Sequence, residues 1–161
     1  MIILGIDPAL TNCGWGIIKK ANVNELSFIS AGTIKTSSSS KFSDRILKIH
    51  DQLEKVIKLY KPNEISIEET FINVNSKTSM VLSQARGAIM LSLAQSGKEI
   101  SEYSATNIKK TIVGRGRAEK QQVQMMVNIL LPKIDIKIDE HAADALACAI
   151  THANYTQFSV S

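Results

Sequence analysis

The sequence predicts an α/β protein built on one mixed five-stranded sheet flanked by helices. Short apolar or β-branched runs recur along the chain, and after the third run they alternate with segments whose apolar residues have helical spacing. The chain has 161 residues and is 44% hydrophobic, which is enough for one core and leaves little room for a second. We therefore expect a single domain over residues 1–155, followed by a short C-terminal tail at 156–161.

The first three predicted strands follow one another closely. The run "IILGID" at residues 2–7 is typical of a buried strand, and "GWGII" at residues 14–18 is expected to return beside it. The third strand, "NELSFISAGTIKT", begins after a turn signal at Asn22 to Asn24. Because these connections are short, the three strands should pair antiparallel.

An amphipathic helix is predicted between this third strand and the next one. Ile46, Ile49 and Leu53 recur at helical spacing within residues 36–62, and Pro62 lies beyond the expected end of the helix. The serines that precede the helix are available as N-caps.

The second half of the chain alternates strands and helices. The strand "EISIEETF" ends in acids, a helix is expected over residues 76–96 with Gly97 closing it, and "KEISEYSA" is the fifth strand. A short helix "TNIKKTIV", a basic turn "GRGRAEK" and the helices "EKQQVQMMVNILLPK" and "DEHAADALACAITHANY" complete the chain. Strands joined through helices favour a mixed sheet covered by helices, and the alanines of the last helix should let it lie close to that sheet.

Composition narrows the possible partners and compartments. Nineteen Lys and Arg against fifteen Asp and Glu give a net charge of +4 and a pI of about 9.1, which mildly favours a polyanionic partner. Cys13 and Cys148 match no metal-ligand spacing and are expected to stay reduced. The opening residues lack the basic region of a signal peptide, and no segment approaches the ~18 apolar residues of a membrane span. We expect a soluble, cytoplasmic protein with no membrane partner.

Acids at predicted strand ends and on the last helix form the candidate site. Asp7 ends one buried strand, Glu68 and Glu69 end another, and His141 and Asp144 share one face of the last helix. A buried carboxylate costs on the order of several kcal/mol unless it is paired or bound to a metal. Each acid alone has an ordinary alternative, such as a turn-forming aspartate or a solvated strand end. Several carboxylates with one imidazole are, however, a ligand set that suits Mg²⁺ and Mn²⁺.

Such a site suits phosphodiester hydrolysis. Two metal ions ~3.5–4 Å apart can hold the attacking and leaving oxygens of an in-line displacement and lower the pKa of a bound water. Basic residues shortly before the last helix are candidates for phosphate binding, with a solvated loop and helix face as the alternative. They are Lys109, Lys110, Arg115, Arg117 and Lys120.

Four blocks of the sequence resemble the RuvC-type Holliday junction resolvases, whose fold is that of ribonuclease H. The blocks are "IILGIDPALTNCGWGII", "ISIEETFINVNSKTSMVLSQARGAI", "IKKTIVGRGRAEKQQVQMMV" and "HAADALACAITH", and they cover nearly the whole chain in the family's order. The resemblance implies a ribonuclease-H-like nuclease domain that cuts two strands of a four-way junction in homologous recombination and DNA repair. It also implies Mg²⁺, with Mn²⁺ as a substitute and two ions per subunit, a homodimer, and a branch-migration helicase complex as partner. We expect "SQARGAIMLSLA" at the dimer interface.

The resemblance also assigns the catalytic residues. It implies that Asp7, Glu68, His141 and Asp144 are the catalytic and metal-binding residues. His141 stands where many members have Asp, and its imidazole is either a metal ligand or a general base. Strand alternation by itself does not choose between Glu68 and Glu69, so that choice rests on the resemblance.

DNA contacts follow from the same resemblance. It implies that Lys109 and Lys120 bind phosphates near the scissile bond and that Phe71 stacks on an unpaired base, a contact worth ~1–3 kcal/mol. A core position for Phe71 and a surface position for Lys120 are the alternatives. Ala9 stands where many members have Gly, so the turn after Asp7 either needs no positive φ or differs slightly.

Three other functions share part of this pattern. Another ribonuclease-H-like nuclease would act on RNA or on RNA–DNA hybrids, and cleavage assays would separate it from a junction nuclease. An actin-like ATPase or sugar kinase shares "GID" but needs a second domain that 161 residues do not provide. A junction-binding protein without catalysis would have lost one of the acids, and none is missing.

Overall fold

The computed structural model describes residues 1–70, 76–132 and 138–156. Within these ranges, strands and helices follow in the predicted order. The strands are β1 (Ile2–Asp7), β2 (Asn12–Asn22), β3 (Glu25–Lys35), β4 (Glu64–Glu68) and β5 (Ile100–Tyr103). The helices are α1 (Phe42–Tyr60), α2 (Ser76–Ala94), α3 (Ala105–Val113), α4 (Lys120–Leu130) and α5 (Glu140–Tyr155).

One mixed sheet joins these strands in the order β3-β2-β1-β4-β5. Strands β1, β2 and β3 pair antiparallel as predicted, β4 is parallel to β1, and β5 is parallel to β4. Helices α1 and α2 supply the long connections into β4 and β5 that parallel pairing requires. The predicted fold class is confirmed.

Apolar side chains cover both faces of the sheet. On one face, α1 and α2 pack against the central strands, and Leu53 and Ile89 are buried there. On the other face, α5 lies across β1 and β2, with Leu146 in the core, and α3 and α4 pack on α5. Burial of a side chain of this size contributes ~1.5–3 kcal/mol. The sheet is therefore held between two helical layers.

The backbone of helix α5 lies directly against the backbone of the sheet. A Cβ atom at Gly5 would lie 2.0 Å from the carbonyl oxygen of Ala145, and a Cβ atom at Gly14 would lie 2.0 Å from that of His141. A side chain at either position would collide with the helix backbone, so the packing requires glycine. The alanines of α5 that were predicted to allow this approach are buried, namely Ala142, Ala143, Ala145, Ala147 and Ala149.

Some local predictions differ from the structure. The serines before α1 were expected to cap it, but the N-cap residue is Lys41, and its side chain makes no capping hydrogen bond. Because α1 begins at Phe42, the N-cap position falls on Lys41, after the last serine of the run, and the hydroxyls of Ser37 and Ser39 hydrogen-bond to each other at 2.7 Å. The helix expected up to residue 96 ends at Ala94, and Gly97, with a φ of +68°, lies in the turn beyond it.

Two expectations from composition concern the cysteines and the presence of membrane-spanning helices. Cys13 and Cys148 are free and buried, and burial raises the pKa of each thiol to about 12. Both therefore act as small apolar core residues. In the part of the chain that the structure describes, no helix combines the length and apolarity that crossing a membrane demands.

Candidate active site

Two acids lie side by side where β1 and β4 end. These strands run parallel with Ile6 opposite Ile67, so the residues that follow, Asp7 and Glu68, leave the sheet at the same edge. Ile6 and Ile67 are fully buried, and the two carboxylates therefore stand at the rim of the core.

Helix α5 brings the other two candidate residues to this edge. Gly14 lies opposite Asp7 in the β1–β2 pair and admits the first turn of the helix. As a result, Nδ1 of His141 lies 3.2 Å from Oδ2 of Asp7. Asp144, one helical turn further on, faces the same cleft, as its spacing from His141 predicts.

The four candidate residues line one cleft of about 270 Å³. Lys109 from α3 and Lys120 from α4 also line it. Its remaining lining residues are the apolar Ala9, Ala105, Ile108, Val123 and Ala147. The cleft thus places carboxylates, an imidazole and two ammonium groups within one small concave surface.

Lys120 pairs with acids at the mouth of the cleft. Its Nζ lies 3.4 Å from Oε2 of Glu140 and 3.8 Å from Oδ2 of Asp144. Burial lowers the pKa of Lys120, but the charges of Asp144 and Glu140 outweigh burial and raise it overall. Because the side chain is 62% exposed, these pairs are weak, and the ammonium is free to turn toward a phosphate.

The carboxylates in the cleft repel one another. Burial raises the pKa of Glu68 to about 7, and the charges of Asp7 and Asp144 add to this rise. Burial also raises the pKa of Asp144 to about 6, again with a contribution from Asp7. The pKa of Asp7 is raised by burial as well, against the opposing hydrogen bond from His141. A bound cation would oppose these rises, because it favours the ionised form of each carboxylate.

The donor set in the cleft fits a hard divalent cation. Asp7, Glu68 and Asp144 offer carboxylate oxygens, and His141 offers a ring nitrogen that Mn²⁺ also accepts. Across residues 1–70, 76–132 and 138–156, no three acidic, histidine or cysteine side chains converge closely enough to enclose an ion as they stand. To enclose an ion together, these side chains would have to lie closer than they do in this structure.

Neighbouring acids take different positions. Glu68 lies on the same face of the sheet as Asp7 and lines the cleft, whereas Glu69 is exposed. Asp139 is the N-cap of α5 and accepts hydrogen bonds from the backbone N–H of Ala142 at 3.0 Å and from the hydroxyl of Thr33 at 2.6 Å. The geometry therefore favours Glu68 over Glu69 and gives Asp139 a capping role.

Only some of the predicted DNA-binding residues lie at the acidic cleft. Lys109 and Lys120 line the cleft beside the acids. Arg115 and Arg117 are exposed in the turn between α3 and α4. Phe71 lies outside the described residues.

Sequence reasoning missed the side chain that contacts the end of β4. Arg86 of α2 donates through Nη1 to the carbonyl oxygen of Glu68 at 2.7 Å and to the hydroxyl of Thr70 at 3.2 Å. One signal was present in the sequence, since Arg86 is the one charged residue between Lys77 and Lys98. A lone charge in such an apolar stretch indicates a specific partner.

The mixed sheet, with acids at the ends of β1 and β4 and α5 crossing it, defines a ribonuclease-H-like nuclease. A family model described as crossover junction endodeoxyribonuclease RuvC matches residues 3–152. The chain therefore belongs to the RuvC family of crossover junction endodeoxyribonucleases.

Curated relatives carry the same description over almost their whole length. The RuvC of Azorhizobium caulinodans is 42% identical over 153 residues, which cover 95% of this chain and 89% of that protein. The RuvC of Afipia carboxidovorans is 45% identical over 155 residues, which cover 96% of this chain and 90% of that protein.

Solved structures show the same fold. T. thermophilus RuvC in complex with a Holliday junction substrate matches with a TM-score of 0.87 and 28% identity, over 96% of this chain and 94% of that one. The yeast mitochondrial Holliday junction resolvase Ydc2 matches with a TM-score of 0.66 and 11% identity, over 94% of this chain and 78% of that one. The second match, at this low identity, concerns the fold alone.

Proposed function

We propose that this chain resolves four-way DNA junctions as a homodimer, with each subunit hydrolysing one phosphodiester in strands of like polarity. The observation that carries this proposal is the cleft, in which mutually repelling carboxylates and an imidazole lie beside two lysines. T. thermophilus RuvC, which has the same fold at 28% identity, forms a complex with a Holliday junction substrate. Residues 1–155 form the nuclease domain, residues 156–161 are a tail, and the protein acts in the cytoplasm.

Asp7, Glu68, His141 and Asp144 hold Mg²⁺, with two ions per subunit and Mn²⁺ as a substitute. Divalent ions, when bound, supply an activated water and neutralise the charge that develops on the phosphate. A bound cation would also favour the ionised forms of these acids. The donor set and the raised pKa values of Glu68 and Asp144 support this assignment.

Lys109 and Lys120 bind the phosphate at the cut site. Both side chains line the acidic cleft, so a phosphate held by their ammonium groups lies within reach of the carboxylates. Such contacts position the DNA backbone and stabilise charge in the transition state without reading the sequence. Arg115 and Arg117, in the exposed turn beside α4, contact phosphates further along the strand.

His141 acts through its neutral form. The 3.2 Å contact between Nδ1 and Oδ2 of Asp7 supports a neutral ring with its proton on Nδ1, because an ionised carboxylate only accepts hydrogen bonds. The lone pair then lies on Nε2, where it serves as a metal ligand or as a general base.

The dimer forms through α2. Met80, Gln84, Gly87 and Leu91 recur at helical spacing on one exposed side of this helix, where Met80 is 59% exposed and Leu91 62%. Open space surrounds the position where a Cβ atom of Gly87 would lie, which lets a second helix approach closely. A twofold dimer matches the twofold symmetry of a junction. A branch-migration helicase complex is the further partner that we propose from the resemblance to the family.

The test uses the purified chain and a synthetic four-way junction labelled on each strand in turn. We expect symmetric paired nicks with Mg²⁺ or Mn²⁺ and none with a chelator. A linear duplex and an RNA–DNA hybrid of the same length serve as controls and should stay intact. Cleavage of the hybrid without cleavage of the junction would instead assign the chain to the alternative class of ribonuclease-H-like nucleases.

A further inference from the structure

We propose that Arg86 is a positioning residue, which holds the end of β4 from helix α2 and thereby sets the place of the Glu68 carboxylate. This inference rests on the proposed function, because the role of Glu68 in catalysis is part of that proposal. Arg86 lines no part of the acidic cleft and acts through the backbone of Glu68.

One guanidinium group connects three parts of the molecule. Its Nη1 donates to the carbonyl oxygen of Glu68 at 2.7 Å and to the hydroxyl of Thr70 at 3.2 Å. Its Nη2 donates to Oε2 of Glu102 on β5 at 2.5 Å. The planar fork of arginine reaches these acceptors together, whereas the single ammonium of lysine does not.

The bond to Glu68 falls where the pairing of β4 with β1 ends. The last residue pair of the β1–β4 ladder is Ile6 with Ile67, and Glu68 is the next residue. A half-buried backbone carbonyl at this point needs a donor, and Arg86 provides one. On the β5 side, the N–H of Glu69 still donates to the carbonyl oxygen of Tyr103 at 2.9 Å. Arg86 and β5 therefore hold the chain on both sides of the Glu68 side chain.

The hydrogen bond from Arg86 opposes the electrostatic repulsion that acts on the carboxylate of Glu68. Asp7 and Asp144 face the same cleft and repel its carboxylate. A catalytic constellation must stay within about 0.5 Å of its working geometry, and the supporting contacts decide whether it does. A fixed backbone at Glu68 prevents the repulsion from being relieved by a shift of the strand end.

The hold comes from hydrogen bonds more than from packing. A cleft of about 320 Å³ adjoins the guanidinium, lined by Thr70, Leu82, Ser83, Arg86, Gly87 and Met90. The surrounding side chains therefore leave room for the fork to move.

The test compares two variants of Arg86 with two control variants. Arg86→Met removes the fork and keeps the length of the side chain, and Arg86→Lys keeps the charge beside Glu102 but cannot span the acceptors. Glu102→Gln retains an acceptor for Nη2 and both bonds of Nη1. Lys58→Met removes a cation of the neighbouring helix α1 that pairs only with Glu54 at the surface.

The first measurement is amide hydrogen exchange on the metal-free protein. We expect Arg86→Met to speed exchange at the Glu69 amide about 10-fold or more, with amides within β1 changed by less than about twofold. Arg86→Lys should show an intermediate increase, and Glu102→Gln and Lys58→Met should match the wild type. This readout does not depend on cleavage, so it tests the hold even if the chain cuts no junction.

The second measurement separates junction affinity from the cleavage rate at saturating DNA. Arg86→Met and Arg86→Lys should lower the rate about 10- to 100-fold while the Kd measured in chelator stays within about twofold. An unchanged rate with a weaker Kd would overturn the inference, because Arg86 would then contact DNA. Unchanged Glu69 exchange would also overturn it. If Arg86→Met does not fold, Arg86→Lys decides by the same two criteria.

Discussion

The two helical layers of this protein are positioned by different means. Helix α5 is buried throughout residues 145–153, and its backbone touches Gly5 and Gly14 of the sheet. Helix α2 is half exposed, presents Met80 and Leu91 to solvent, and contacts the backbone of Glu68 through Arg86. Close backbone contact at glycines fixes the α5 layer on the sheet. The layer of α1 and α2 packs through buried side chains such as Leu53 and Ile89 and adds the hydrogen bonds of Arg86.

The largest expected effect lies on α5, at Asp144. Asp144→Asn keeps the shape of the side chain and removes the charge, so the cleavage rate should fall by about 10³-fold or more while junction binding in chelator persists. Asp51→Asn, on the exposed side of α1, is the control and should cleave like the wild type. The rate is read from paired nicks on a labelled junction. A variant rate near that of the wild type would remove Asp144 from the site.

Two glycine substitutions contrast the layers directly. Gly5→Ala forces a Cβ atom against the carbonyl oxygen of Ala145, so it should lower the free energy of unfolding by about 2–4 kcal/mol and displace α5. Gly87→Ala on α2 meets no atom within 4 Å and should raise that free energy by about 0.5–1 kcal/mol. Urea unfolding below the concentration of dimer formation measures both. Equal effects of the two substitutions would show that α5 is not held by close backbone fit.

The sequence predicts the layers better than it predicts the contacts between them. Periodicity and strand ends correctly predicted the mixed sheet, because these features depend on local pattern. They also predicted that Asp7 ends a strand and that Asp144 lies on the last helix, as the structure has them, while the catalytic roles of both residues remain predictions. Local sequence pattern does not decide between Glu68 and Glu69. The choice depends on which sheet face α5 covers, and only the packed structure shows that Asp7, Gly5 and Glu68 share that face.

Two further features, the bond from Arg86 to Glu68 and the absence of a serine cap on α1, could not be predicted from local pattern. The bond from Arg86 to the backbone of Glu68 joins residues 18 apart in the chain, and a backbone acceptor carries no sequence signal. The serines before α1 have the composition of a cap, but the helix begins one residue too late for any of them to occupy the N-cap position. Local propensity predicts that a cap is available, while tertiary geometry decides whether it is used.

The exposed stripe of α2 should respond to charge. Leu91→Lys places an ammonium in the proposed dimer contact, so it should weaken dimerisation about 10-fold or more. Leu59→Lys, at a position of α1 that is 71% exposed, is the matched control and should leave dimerisation unchanged. Analytical ultracentrifugation gives the dimer constant, and the ratio of paired to single nicks reports coupling between subunits. If both variants stay equally dimeric, the interface lies elsewhere.

The smallest expected effect concerns the stability cost of the acidic cleft itself. The pKa of Glu68 is raised from 4.5 to about 7 by burial and by its acidic neighbours, so the folded state binds its proton more tightly than the unfolded state. Stability contributed by that proton is present below the unfolded pKa and is lost as the pH rises through about 7.

Glu68→Gln cannot ionise and should raise the free energy of unfolding by about 1 kcal/mol at pH 8, with the difference shrinking toward pH 4. Glu69→Gln, the exposed neighbour, should change nothing at either pH. Mg²⁺ should stabilise the wild type at pH 8 and Glu68→Gln much less, because the variant lacks the charge that the ion would neutralise. A Glu68→Gln protein that is less stable than the wild type at pH 8 would mean that the ionised Glu68 carboxylate carries no net cost in the folded protein.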